Sequence, residues 1–312
     1  MNRRRPRPGP RVLVTLSLVL LAAACADEGA TGGAQPQGSS LQVTLGTKDF
    51  PEQFVLGELY KQALAVKGYK VTLEKNIGST EVIDKALTSR EIDAYPEYLG
   101  VALSVAGRRE TATGSAQETY DLARRFYEGR GQAISEPTPF SNVDAVATTK
   151  FFAQEHGLRT LRDLRKLKRF TLGARPEFET RFQGLEGLQQ VYGLTNAEFK
   201  SITIGAQYAA LDAGDVQAAN VFSTDGQLAG GDYAILEDPE HLFGYQHVAL
   251  VIHKDKLDAL GGAEFMAVIN AVNRQLTADA IIALNRSVVV DEQDEAAVAA
   301  RFLRENGLLG RE

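Results

Sequence analysis

Three aromatic residues, Tyr98, Tyr208 and Phe222, stand where apolar, strand-like runs give way to helical patterns. Tyr98 follows the run 92–95, Tyr208 follows Ile204-Gly205, and Phe222 occupies the place equivalent to Tyr98 in a second module. Ring faces carry negative quadrupole density. A group of them stabilises a quaternary ammonium, which has no N–H to donate, by about 0.5–2 kcal/mol per contact once water is excluded. The alternative is that each ring packs inside its own lobe. Cations stand at similar places: Lys48 between the first strand and first helix, and Arg175 and Arg181 about the corresponding helix start in the second module. Helix N-termini attract anions through unpaired amides, and a guanidinium fork grips a carboxylate with two bonds. Arg181, with Lys48, is therefore the expected seat of a ligand carboxylate, and Arg175 is read as a surface charge.

Other chemistries find less in the sequence. There is no G-x-S-x-G elbow, no G-x-x-x-x-G-K-[ST] loop and no H-E-x-x-H, and the one cysteine is Cys25. His247 and His253, six residues apart, are too far along one strand to chelate an ion without further ligands. Asp93 and Glu97 have the types of a general acid and base, although such carboxylates more often cap helices or face water. No cofactor or metal is implied. With 34 Lys and Arg against 40 Asp and Glu, the net charge of −6 gives a nucleic-acid backbone nothing to bind.

The elements that carry these residues repeat. Thr44-Leu45-Gly46 and Thr171-Leu172-Gly173 each close an apolar run, and Ile77-Gly78-Ser79 and Ile204-Gly205-Ala206 each precede a helical segment, both pairs at an offset of 127 residues. A third pair, Ala86-Leu87 to Ala94 and Ala210-Leu211 to Ala218, follows at 124 and sets Tyr98 opposite Phe222. Two copies of a β-α-β-α-β module imply an α/β fold with two largely parallel sheets. In such sheets ligands sit beyond the carboxyl ends of the strands. The runs 144–148 and 247–252 are the expected passages between lobes, and helices over 262–275 and 292–305 are expected to return to lobe one. Lobe one is thus 41–143 plus 248–312, and lobe two is 144–247.

The chain opens with Arg3, Arg4, Arg5, Arg7 and Arg11, an apolar run over 12–24, and Cys25. A largely apolar run of thirteen residues is too short to span a bilayer but suits the core of an export signal over 1–24. Leu21-Ala22-Ala23-Ala24-Cys25 is similar to a bacterial lipobox, in which Cys25 becomes the lipidated N-terminus. A plain secretory signal is the alternative. The stretch 26–40 has almost no large apolar side chain and reads as a tether reaching about 20 Å.

Five segments together resemble the substrate-binding proteins of quaternary-amine ABC transporters, the family that handles glycine betaine, choline, carnitine and related osmoprotectants. They are Gly46-Thr47-Lys48-Asp49-Phe50-Pro51-Glu52-Gln53, Ile77-Gly78-Ser79-Thr80, Ile92-Asp93-Ala94-Tyr95-Pro96-Glu97-Tyr98-Leu99-Gly100, Pro176-Glu177-Phe178-Glu179-Thr180-Arg181 and Phe222-Ser223-Thr224-Asp225-Gly226. The resemblance implies a two-lobed, clam-like (type II periplasmic-binding-protein-like) α/β fold with a hinge and an interlobe cleft. It also implies a cage containing Tyr98, Tyr208 and Phe222, and a carboxylate seat at Arg181 and Lys48. At the start of the hinge strand, where betaine-binding relatives tend to place tyrosine, this chain has Asp144. Its carboxylate either meets a choline-like or N–H-bearing ligand, which puts simple glycine betaine in doubt, or braces the hinge by bonding backbone amides. The implied partners are a small quaternary-amine or zwitterionic ligand, a permease with ATPase subunits, and a membrane reached through the lipid anchor. A dehydratase or lyase on the same scaffold, or a ligand-sensing lipoprotein, are the alternatives.

Overall fold

The duplicated pattern takes the form of two five-stranded sheets with matching strand order. In this computed structural model, residues 41–108 and 113–310 are described. The export signal, the tether and Cys25 lie outside them. The strands are β1 (Gln42–Gly46), β2 (Lys70–Glu74), β3 (Ala94–Tyr98), β4 (Gln132–Ile134), β5 (Asp144–Thr149), β6 (Phe170–Ala174), β7 (Ala197–Ser201), β8 (Ala218–Phe222), β9 (Tyr233–Leu236) and β10 (Val248–His253). One sheet runs β2-β1-β3-β10-β4, the other β7-β6-β8-β5-β9. Strands β1, β2 and β3 are parallel, as are β6, β7 and β8. β10 and β5 enter antiparallel beside β3 and β8, with Val248 opposite Tyr98 and Asp144 opposite Phe222. The repeat extends to the packing: side chains of Ile92 and Ile77 lie where a Cβ on Gly46 would be, and those of Val216 and Ile202 do the same at Gly173.

β10 reads VALVIH and is buried at every position, as expected of a central strand covered on both faces. Helix α1 (Pro51–Val66) starts at a proline whose fixed φ suits a first turn, directly after the extended Phe50. Its buried Val55, Leu56, Leu59, Tyr60, Ala63 and Leu64 form one stripe against three C-terminal helices, Ala263–Gln275, Ala278–Val289 and Glu295–Glu305. The Tyr60 hydroxyl donates to Asn273 Oδ1 at 2.6 Å within this interface. The middle helix of the three was not expected from the sequence.

Pro96, just past the run 92–95, lies inside β3. β1 pairs with β3 only at Ala94, so beyond that residue the edge of β3 facing β1 needs no N–H, and proline is tolerated there. The two chain passages between sheets run side by side: Ser141 bridges His247, and the Asn142 N–H donates to the Gln246 carbonyl at 3.1 Å. This paired crossing is the hinge.

Candidate functional site

The carboxyl ends of β1, β3, β6 and β8 and the start of β5 meet around one cleft of about 420 Å³, counting its open mouth. Lys48, Tyr98, Asp144, Arg181 and Phe222 line it, joined by Phe50 and Arg175. Three rings form a column across it. Phe50 lies 5.8 Å from Tyr98 and stacks on Phe222, across the cleft, at 5.2 Å and 19°. Resident cations cap the column: Lys48 Nζ stands 4.9 Å from the Tyr98 centroid, and the Arg175 guanidinium carbon 5.2 Å from that of Phe222.

Each cation is also paired. Lys48 donates to Glu97 and, at 2.8 Å, to Thr80 Oγ1; burial lowers its pKa, and Glu97 offsets only part of that. Glu97 accepts as well from the Tyr95 hydroxyl and the Tyr98 N–H. Arg175 is buried, not a surface charge: its guanidinium grips Asp144 with two bonds, at 2.6 and 3.0 Å, and donates to Asn220 Oδ1. Burial alone would raise the Asp144 pKa; the guanidinium outweighs it and holds the carboxyl below its ordinary value. Asp144 thus braces a buried arginine rather than backbone amides. At the mouth, Arg181 of one lobe forms a two-bond pair with Glu81 of the other, at 2.7 and 3.2 Å. Burial pushes the Glu81 carboxyl up, but Arg181 outweighs this and brings it down to about 2.

Tyr208 is not brought to the cleft. It lies on the same face of the helix Gln207–Asp212 as buried Leu211, one turn away, and that face turns into the lobe. Its ring meets Tyr233 edge-on at 4.9 Å beside Ala145, Ala147 and Val221, and its hydroxyl donates to Asp225 Oδ2 at 2.7 Å. Here the interior-packing alternative holds, and Phe50 supplies the third ring. The signal for Phe50 was present, since it immediately precedes Pro51 at the first strand-to-helix loop.

Burial raises the Asp225 pKa to about 6. The folded protein therefore holds a proton that the unfolded chain releases near pH ~3.9. Stability from this group is full below that value and declines as pH rises through about 6. Asp225→Asn is expected to flatten the pH dependence of the thermal midpoint between about pH 4 and 6, as measured by calorimetric melting.

His247 Nδ1 lies 2.9 Å from the Thr138 carbonyl and His253 Nε2 2.7 Å from that of Leu87. No group of three or more His, Cys, Asp or Glu able to hold a metal ion occurs among the described residues.

Two α/β lobes joined by paired crossings, with a ring-lined, charge-balanced cleft between them, define a two-lobed binding protein of the periplasmic type. Comparison with known proteins gives the family. The model for the substrate-binding domain of ABC-type glycine betaine transport systems matches residues 42–305, and the chain belongs to that family. It is 29% identical over 301 residues to a glycine-betaine-binding protein of Pseudomonas aeruginosa, covering 93% of this chain and 94% of the relative. It is 27% identical over 304 residues to the glycine betaine-binding protein YehZ of Escherichia coli, covering 93% and 96%. The YehZ structure superposes with a TM-score of 0.63 over 86% of this chain and 99% of that one. A glycine betaine/carnitine/choline ABC transporter structure, 23% identical, gives 0.69 over 85% and 99%. The chain is a substrate-binding protein of this transporter class, and the dehydratase or lyase reading finds no support in these likenesses.

Proposed function

We propose that the protein captures a small quaternary-amine or related zwitterion between its lobes and delivers it to a membrane permease driven by ATPase subunits, without catalysing a reaction. The observation that carries this reading is that rings from both lobes, Tyr98 and Phe50 on one side and Phe222 on the other, line one cleft. The methylated nitrogen enters between Phe50 and Phe222, with Tyr98 beside it, and takes over the contact these two rings make with each other. Only the closed arrangement offers both sets of faces, so binding favours closure. The ligand carboxylate meets donors that the internal pairs leave over: an Nη2–H of Arg175, the third Nζ–H of Lys48, and the Nη1 side of Arg181. Catalysis finds little to work with, because Glu97 is fully buried and spent on Lys48, Tyr95 and Tyr98, while Asp93 binds the Thr44 N–H and pairs with Lys256.

No helix among the described residues is long and apolar enough to cross a membrane. Export, with anchoring through a lipid on Cys25 and the tether over 26–40, completes the reading. Lobe one takes 41–143 with 248–312, and lobe two takes 144–247.

Calorimetric titration with glycine betaine, choline, carnitine, proline betaine and ergothioneine, with ordinary amino acids as controls, tests the proposal. Saturable one-to-one binding of at least one quaternary amine, and no product from it, is the expected result. Indifference to all five overturns it.

A further inference from the structure

Glu52 sits in the first turn of α1, behind the ring column. Its side chain is buried, and its carboxylate gathers donors from four separate parts of the chain. Oε1 accepts from the Tyr98 hydroxyl at 2.7 Å and the Asn142 amide at 2.9 Å. Oε2 accepts from the Thr224 hydroxyl at 2.5 Å and the Asn285 amide at 2.7 Å. A carboxylate is an acceptor only, with about four lone-pair sites, and here all are used.

The four donors are placed to matter for the cleft. Tyr98 is itself a column ring at the end of β3. Asn142 lies on the hinge crossing two residues before Asp144, and Thr224 lies two residues after Phe222 at the end of β8. Asn285, on the middle C-terminal helix Ala278–Val289, also donates to the Thr224 carbonyl at 2.9 Å. Each strand end that presents Tyr98, Asp144 or Phe222 is therefore tied to one buried charge. The amide oxygens of Asn142 and Asn285 are buried without hydrogen-bond partners among the described residues. Both amides turn their N–H groups to Glu52, whose charge strengthens the bonds it accepts.

We infer that Glu52 is a positioning residue that holds Tyr98, the hinge and the Phe222 end of lobe two in register for a single ligand, without touching that ligand. The inference rests on the capture reading above. Glutamine at this place would present a donor to a ring of donors.

With choline as the probe, Glu52→Gln is expected to weaken binding about tenfold or more, and Tyr98→Phe, which keeps the ring and cuts its tether, about three- to tenfold. Because both cut the same link, the double variant should lose less than the product of the single losses. Multiplicative losses, or wild-type affinity in Glu52→Gln, overturn the inference. A second measurement needs no ligand: nitroxides on Lys85→Cys and Glu186→Cys, one per lobe, in the full chain carrying Cys25→Ser. Glu52→Gln should broaden the interlobe distance distribution, and an unchanged distribution contradicts the assigned role. Should the unmodified protein ignore choline and every other quaternary amine, the capture reading fails while the distances still judge Glu52. Should Glu52→Gln fail to fold, Tyr98→Phe and Thr224→Val carry the test. Each should weaken binding and broaden the distances, and two variants with wild-type values in both measurements overturn the inference.

Discussion

Asp144→Ala is expected to destabilise the fold by roughly 3–5 kcal/mol, the usual cost of removing one partner from a buried ion pair. The cost comes from the arginine left behind. Arg175 is about as buried as Asp144 and would keep Asn220 as its buried acceptor, with Glu177 at 3.4 Å as its remaining carboxylate neighbour. Replacing both partners together, as in Asp144→Leu with Arg175→Met, should recover most of the loss, because the desolvation penalty disappears with the pair. Urea denaturation of the three proteins measures this directly, and a single variant within about 1 kcal/mol of the wild type would contradict it. The pH dependence has a definite sign. The folded-state pKa of Asp144 is depressed, so its contribution is complete above the unfolded carboxylate value of about 3.9 and is lost as pH falls through the lower native value. Asp144→Tyr supplies a ring but strands Arg175 in the same way, so it too is expected to destabilise the fold.

Ligand affinity should fall about tenfold to a hundredfold in Tyr98→Ala and in Phe222→Ala, equivalent to about 1.4–2.8 kcal/mol. Tyr98→Ala removes a ring face and the tether to Glu52 together. Phe222→Ala removes the one column ring contributed by the second sheet, along with the surface on which Phe50 stacks and over which Arg175 lies. Tyr208→Phe provides the contrast. It keeps the ring packed on Tyr233 and gives up only the bond to Asp225, so affinity should stay within about twofold of the wild type. Titration calorimetry distinguishes the cases, and a loss in Tyr208→Phe equal to that in Phe222→Ala would place the ligand elsewhere.

The sequence made the repeat legible because two offsets, 127 and 124, recur in the apolar runs and the loops that follow them. Matching runs produce matching strand order, and the equivalence of Tyr98 and Phe222 follows from it. Tyr208 was misread because a position at a helix start does not say which face of the helix it occupies, and its neighbour one turn on, Leu211, faces the interior. Arg175 was illegible for another reason. Its burial depends on Asp144 and Asn220, 31 and 45 residues away, and a charge in a loop has no local mark of distant partners. The same holds for Glu52, whose donors lie 46 to 233 residues along the chain.

A crystal structure of the protein grown with choline shows whether the cleft is where the ligand sits. The quaternary nitrogen is expected between the lobes, within about 6 Å of the ring centroids of Tyr98 and Phe222, with Phe50 drawn away from Phe222 to admit it. Choline seated outside this cleft, or bound with Phe50 and Phe222 still stacked on each other, would contradict it.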